Sequence, residues 1–210
     1  VSHLIRYKFR QGDVLTYEQE TTLLLEEPDG AKYDGTTREK SVQSVTEDHD
    51  GWWTILLSIT RLSSSGPLCE NIPEQLCDRN VVMKMDSRGS LLDIGSGGPP
   101  PRVPAFPIEG VSPGQGWLAT AATPDGGEPM GIEFYLERVD QVDGDEVAHL
   151  VTLANSTHPD GYTSQIQGTV AFSLTQGHQV SSTTVTKLVW QNGRVSHSVL
   201  ELRLQSRTAG

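Results

Sequence analysis

An all-β chain is predicted, its hairpins arranged as a pseudo-twofold repeat in one large curved antiparallel sheet, a half-barrel or a sandwich. Three observations carry this. Asp-Gly occurs six times, beginning at Asp29, Asp34, Asp50, Asp125, Asp143 and Asp160, and Asn192-Gly193 adds a seventh such pair. These dipeptides supply the positive φ values that two-residue hairpin turns demand. No stretch sustains a helical apolar period over three turns, whereas short alternating runs recur between Gly-containing turns. Finally, Gly131 to Thr157 has a looser copy at Arg38 to Leu62; in each, an extended segment meets an Asp-Gly and an apolar strand follows.

The opening alternates well. Ile5, Tyr7 and Phe9 share one face and Arg6, Lys8 and Arg10 the other, which predicts a strand. Gln11-Gly12-Asp13 interrupts it as a bulge or bend would. Alternation resumes with Leu15, Tyr17, Leu23 and Leu25 inward and Glu18 and Glu20 outward. Residues 28–35 read as a loop with two turn signals. After Asp50-Gly51, Trp53, Ile55, Leu57 and Ile59 face one way in a half-buried strand. Val81, Met83 and Met85 alternate before a turn at Ser87-Arg88-Gly89, and Leu91-Leu92 returns.

Residues 94–116 hold six of the twelve prolines and read as a crossover between two similar halves, about 1–93 and 111–210, of a single domain. A linker between two domains is the alternative; Val103, Phe106 and Ile108 would anchor a crossover. In the second half Ile166, Val170, Phe172 and Leu174 share a face, with Gly168 leaving a gap among them. The chain closes with a hairpin through Gln191-Asn192-Gly193-Arg194, and Leu200, Leu202 and Leu204 line one side of its last strand.

A length of 210 residues suffices for a sizeable core. The net charge of −11 argues against a nucleic-acid backbone or an anionic lipid surface as partner. Cys69 and Cys77 sit in one short loop and fit a local disulfide, hence an oxidising compartment; two buried thiols are the alternative. No run of about 18 apolar residues is present, so no membrane-spanning helix is expected. The chain starts at Val1 without a Met, which fits a mature chain whose export signal has been removed.

Reactive chemistry is poorly signalled. Around Asp48, Asp50 and Gly51 a calcium loop would need an oxygen ligand at Thr46 and a Glu where Leu57 stands, so a polar hairpin tip is expected instead. No Gly-x-Ser-x-Gly elbow or phosphate-binding Gly loop occurs. No catalytic residue, metal ligand or cofactor is expected, and a hydrolase would need His, Asp and Ser side chains converging in one pocket. The aromatics are the remaining lead. Trp52 and Trp53 must face opposite sides of the sheet.

Two segments carry a family resemblance. Lys-Phe-x-x-Gly-Asp-x-x-x-Tyr, from Lys8 to Tyr17, and the stretch from Phe106 to Trp117 with its Val-x-x-Gly-x-x-Trp pattern resemble a group of exported bacterial proteins, many of them lipoproteins. The resemblance implies an extracellular or cell-envelope protein on one large curved sheet, similar to lipoprotein-carrier folds that bind acyl chains on a concave face. It brings no catalytic residues. The expectation is therefore a non-enzymatic exported protein that binds a hydrophobic ligand through residues such as Trp53, Ile55, Phe134 and Phe172. The alternative is an envelope module that engages another protein, for instance through a sheet edge.

Overall fold

A computed structural model describes residues 1–69, 78–94, 106–121, 130–158 and 161–210. Its described elements are β1 (Val14–Glu26), β2 (Lys32–His49), β3 (Trp52–Ser65), β4 (Asp78–Asp86), β5 (Leu91–Ile94), β6 (Gly116–Ala121), β7 (Met130–Val142), β8 (Asp145–Thr157), β9 (Tyr162–Ser173), β10 (His178–Trp190) and β11 (Val195–Thr208). They form one curved, open sheet of 11 strands in the order β5-β4-β3-β2-β1-β11-β10-β9-β8-β7-β6, antiparallel throughout. The first half meanders from β1 out to one edge at β5. The second starts at the opposite edge with β6 and meanders back until β11 pairs with β1 at the centre.

Turn chemistry explains most of the hairpins. Asp143 and Gly144 both take positive φ, 51° and 83°, which is the signature of the two-residue turn that matches strand twist. Asp34-Gly35 behaves differently from the sequence expectation: it lies inside β2 rather than in a loop. There Gly35 is needed for close approach, since a Cβ would stand 2.7 Å from Cys69 Sγ. Asp125-Gly126 lies outside the described residues.

The opening segment is not a strand of the sheet. Only His3 forms a bridge, to Val111, and residues 4–12 run as a strap across one face. The strap's backbone finds partners on both flanks: Tyr7 N–H donates to Ser87 C=O at 2.8 Å and Lys8 N–H to Gly177 C=O at 2.9 Å. Those two residues lie in the turns after β4 and β9. The alternation seen in the sequence therefore decides which strap residues point at the sheet, while the ladder goes unbuilt. Ile5 and Phe9 are buried beneath the strap.

Two apolar clusters result. One gathers Ile5, Val111, Leu136, Ala148, Leu150, Phe172 and Leu174; the other gathers Phe9, Leu15, Tyr17, Val45, Trp53, Ile55 and Met85. Tyr7 touches both, with its ring centroid 5.2 Å from Phe172 and 5.4 Å from Phe9. Phe106 stacks on Tyr7 at 5.6 Å, so the end of the crossover lies on the same face. Gly168, expected to leave a gap, is closed over: Thr152 Oγ1 would lie 2.6 Å from a Cβ built there.

Candidate functional site

In an antiparallel ladder directly opposed residues share a face, so register converts into rows of side chains across the sheet. The strap covers the end of the sheet that carries the Asp50-Gly51 and Asp143-Gly144 turns. Beyond it, on the same face, three rows follow. One runs Trp117, Phe134, Thr152, Gly168, Thr184, Leu200, Thr21, Thr37 from β6 to β2. The next runs Ala119, Ile132, Ala154, Ile166, Thr186, Ser198, Leu23, Gly35, over the same strands. The third runs Ser156, Ser164, Leu188, Ser196, Leu25, Tyr33.

None of these residues is charged. At strand spacing the floor they form spans about 34 Å across eight strands and about 13 Å along them. Leu23, Leu25, Ile132, Ile166, Leu188 and Leu200 are partly exposed and belong to neither apolar cluster. The opposite face carries the charges, among them Glu18, Glu20, Arg38, Lys40, Glu133, Lys187, Glu201 and Arg203. On the floor's own side charges flank it at both ends: Glu27 and Arg194, paired at 3.2 Å, on the rim beyond the third row, and Glu39 in the row above the first. Glu39, 5% exposed, lies 3.2 Å from an Arg61 guanidinium nitrogen and 3.9 Å from Arg79.

The floor is a surface rather than a cavity. A depression of about 730 Å³, open to solvent, involves mainly the opposite face, with Leu118, Leu153, Val185, Glu133 and Lys187 in its lining.

The four residues singled out from sequence all point to the floor's side of the sheet. Three of them are roofed. Trp53 is 8%, Ile55 1% and Phe172 0% exposed, and Phe9 packs edge-on against Trp53 with centroids 5.4 Å apart. Phe134 alone reaches the floor, stacked on Trp117 at 5.2 Å. Trp53 and Ile55 share one cluster and Phe172 belongs to the other. The floor's aliphatic residues were missed as a site. Their signal was the alternation in Leu23-Leu25 and Leu200-Leu202-Leu204, which marks a buried face without saying what buries it.

At one end of the third row the floor meets a polar cluster. Ser156 Oγ lies 2.8 Å from His158 Nε2 and 2.6 Å from Ser164 Oγ. The His158 ring stacks on Tyr162 at 4.0 Å, and Tyr162 in turn lies 5.9 Å from Trp190. The acidic tip of β2 is built differently. His49 stacks on Trp52 at 3.9 Å and reaches Glu47 at 3.3 Å, while Lys84 stands over the Trp52 ring. Trp52 and Trp53 do face opposite sides. Cys69 is buried; Cys77, and with it the expected disulfide, lies outside the described residues.

No family model matches the chain, and no curated protein matches its sequence. Solved structures do match. A structure describing lipid–protein interactions in lipovitellin is similar over 97% of this chain, at 11% identity and a TM-score of 0.57. This is a shared fold. The chain spans 26% of that lipovitellin chain, about a quarter of its length. A Bacteroides fragilis protein with a YmcC-like fold, put forward as exported, aligns over 96% of this chain and 99% of its own, at 12% identity and a TM-score of 0.41. A LolA-superfamily protein of Nitrosomonas europaea aligns over 95% of this chain and 89% of its own, at 13% identity and a TM-score of 0.23.

Proposed function

We propose that this chain is a non-enzymatic, exported cell-envelope protein that holds a lipid on the uncharged floor. One observation carries the reading: three successive rows across the sheet bear no charge, and the strap stops short of them. The rows span on the order of 400 Å² of sheet, and the partly exposed Leu23, Leu25, Ile132, Ile166, Leu188 and Leu200 supply the apolar contact within it. Each acyl CH₂ laid on it would gain about 0.8 kcal/mol where burial is complete. The fold shared with lipovitellin, a protein described in terms of its lipid interactions, supports the same reading. Export rests on the sequence resemblance.

The test is titration of the delipidated protein with a fluorescent sixteen-carbon acyl probe. Leu188→Asp, in the third row of the floor, is expected to weaken binding at least about tenfold, because a carboxylate there resists desolvation. Val185→Asp, on the opposite face of the same strand, is expected to leave it unchanged. Equal affinity in Leu188→Asp and the parent protein would refute the reading. A symmetric dimer in native mass spectra, with no lipid bound, would favour the protein-interaction alternative.

A further inference from the structure

Resting on that reading, we infer that Ser156, His158 and Ser164 form a polar anchor for the lipid, and that the occupant is uncharged: an acylglycerol bearing free hydroxyl and ester groups. Charge comes first. An anionic head, whether carboxylate or phosphate, needs a cation within reach, and none of the three rows supplies one. The cation bordering the floor, Arg194 on the rim beyond Trp190, has its charge matched by Glu27 at 3.2 Å, although its buried Nε makes no hydrogen bond. The chain's net charge of −11 opposes an anion further.

Hydrogen-bonding capacity comes second. With Nε2 of His158 unprotonated, the two hydroxyl hydrogens are spent inside the cluster, Ser164 to Ser156 and Ser156 to His158. Lone pairs on both oxygens then remain to accept a ligand hydroxyl, most openly on the partly exposed Ser156, since Ser164 is 4% exposed. With the proton on Nε2 the chain reverses, and the Ser164 hydroxyl is released to donate to an ester carbonyl. Either arrangement suits a neutral head that both donates and accepts. Geometry also places the tail. Ser164 lies directly opposite Leu188 in the ladder, and Ile166 follows two residues along β9 on the same face. A head at Ser156 would therefore leave its chain on the aliphatic part of the floor. Trp190, joined to the cluster through Tyr162, should report occupancy.

The experiment compares monoolein, oleate and hexadecane on the full chain at pH 8, by displacement of the acyl probe and by tryptophan emission. Monoolein is expected to bind at least about tenfold tighter than oleate. Ser156→Ala should lose about fivefold in monoolein affinity, the worth of one hydrogen bond, and leave hexadecane binding alone. Ser156→Cys, which keeps the volume and weakens the hydrogen bonds, should fall between the two and covers the case in which the alanine variant does not fold. Oleate binding as tightly as monoolein, or monoolein affinity untouched by both variants, overturns the anchor while the lipid reading stands. If none of the three ligands binds, both fall together.

Discussion

Asp13 shows how much can hang on one residue. It is fully buried, accepts hydrogen bonds from the Arg10 and Gly210 backbone N–H groups, and pairs with Arg207 at 2.8 Å. It thereby ties the strap's end to the last strand. Burial pushes its carboxyl up, but the backbone N–H groups and the Arg207 guanidinium outweigh that and hold it below the ordinary value. His178 is buried nearby, and desolvation is the main cause that lowers its pKa. Both folded values lie below the unfolded ones, so the unfolded chain binds more protons in acid and stability falls with pH. The loss should begin below about pH 6.5 through His178 and deepen below about pH 4 through Asp13. Urea midpoints measured across pH would show two legs, the lower one flattened in Asp13→Ala. That variant should also be about 3–5 kcal/mol less stable at neutral pH, since it removes the counter-ion of the largely buried Arg207 and the acceptor of the Arg10 and Gly210 N–H groups.

At the scale of elements, the strap is the part that alternation misassigned. A run such as Ile5-Arg6-Tyr7-Lys8-Phe9 states that three side chains point one way. It does not state whether they belong to a ladder or lie across one, because the ladder partner is elsewhere in the chain. Here the partners are two turns, at Ser87 and Gly177, and the segment becomes a roof. Phe9→Ala should cost about 3–5 kcal/mol, as large core aromatics do. It should also shift Trp53 emission to the red, because the Phe9 ring lies against that indole. Thermal melts and fluorescence spectra would check both, and unchanged Trp53 emission would mean the strap does not seal that cluster. The hairpins, by contrast, were legible. Asp-Gly at 50–51 and 143–144, flanked by alternating apolar residues, specifies a tight antiparallel return by local chemistry alone.

Across the whole molecule, the order of strands is that of a meander cut at its middle, with the two cut ends, β1 and β11, paired to each other. The sheet therefore cannot be completed until its last strand is in place. Deleting residues 195–208 would strip a neighbour from both β1 and β10. The expected result is loss of a single cooperative unfolding transition, read by tryptophan fluorescence in urea; one sharp transition in the truncated chain would argue that the two meanders fold independently.

The chain's own residues determined the strands, most of the turns and which side of each strand is apolar, because those follow from φ preferences and a two-residue period that act within a few positions. Trp53 and Ile55 could be placed on one face of their strand by that logic; that Phe134 and Phe172 share that face is decided by register between strands. Only the tertiary structure decided what lies over that face. Burial is a relation between segments far apart in sequence, and the strap from residues 4–12 roofs Trp53, Ile55 and Phe172 while leaving Leu23, Ile166, Leu188 and Leu200 partly open. Alternation reports the direction of a side chain; packing decides whether protein or solvent meets it.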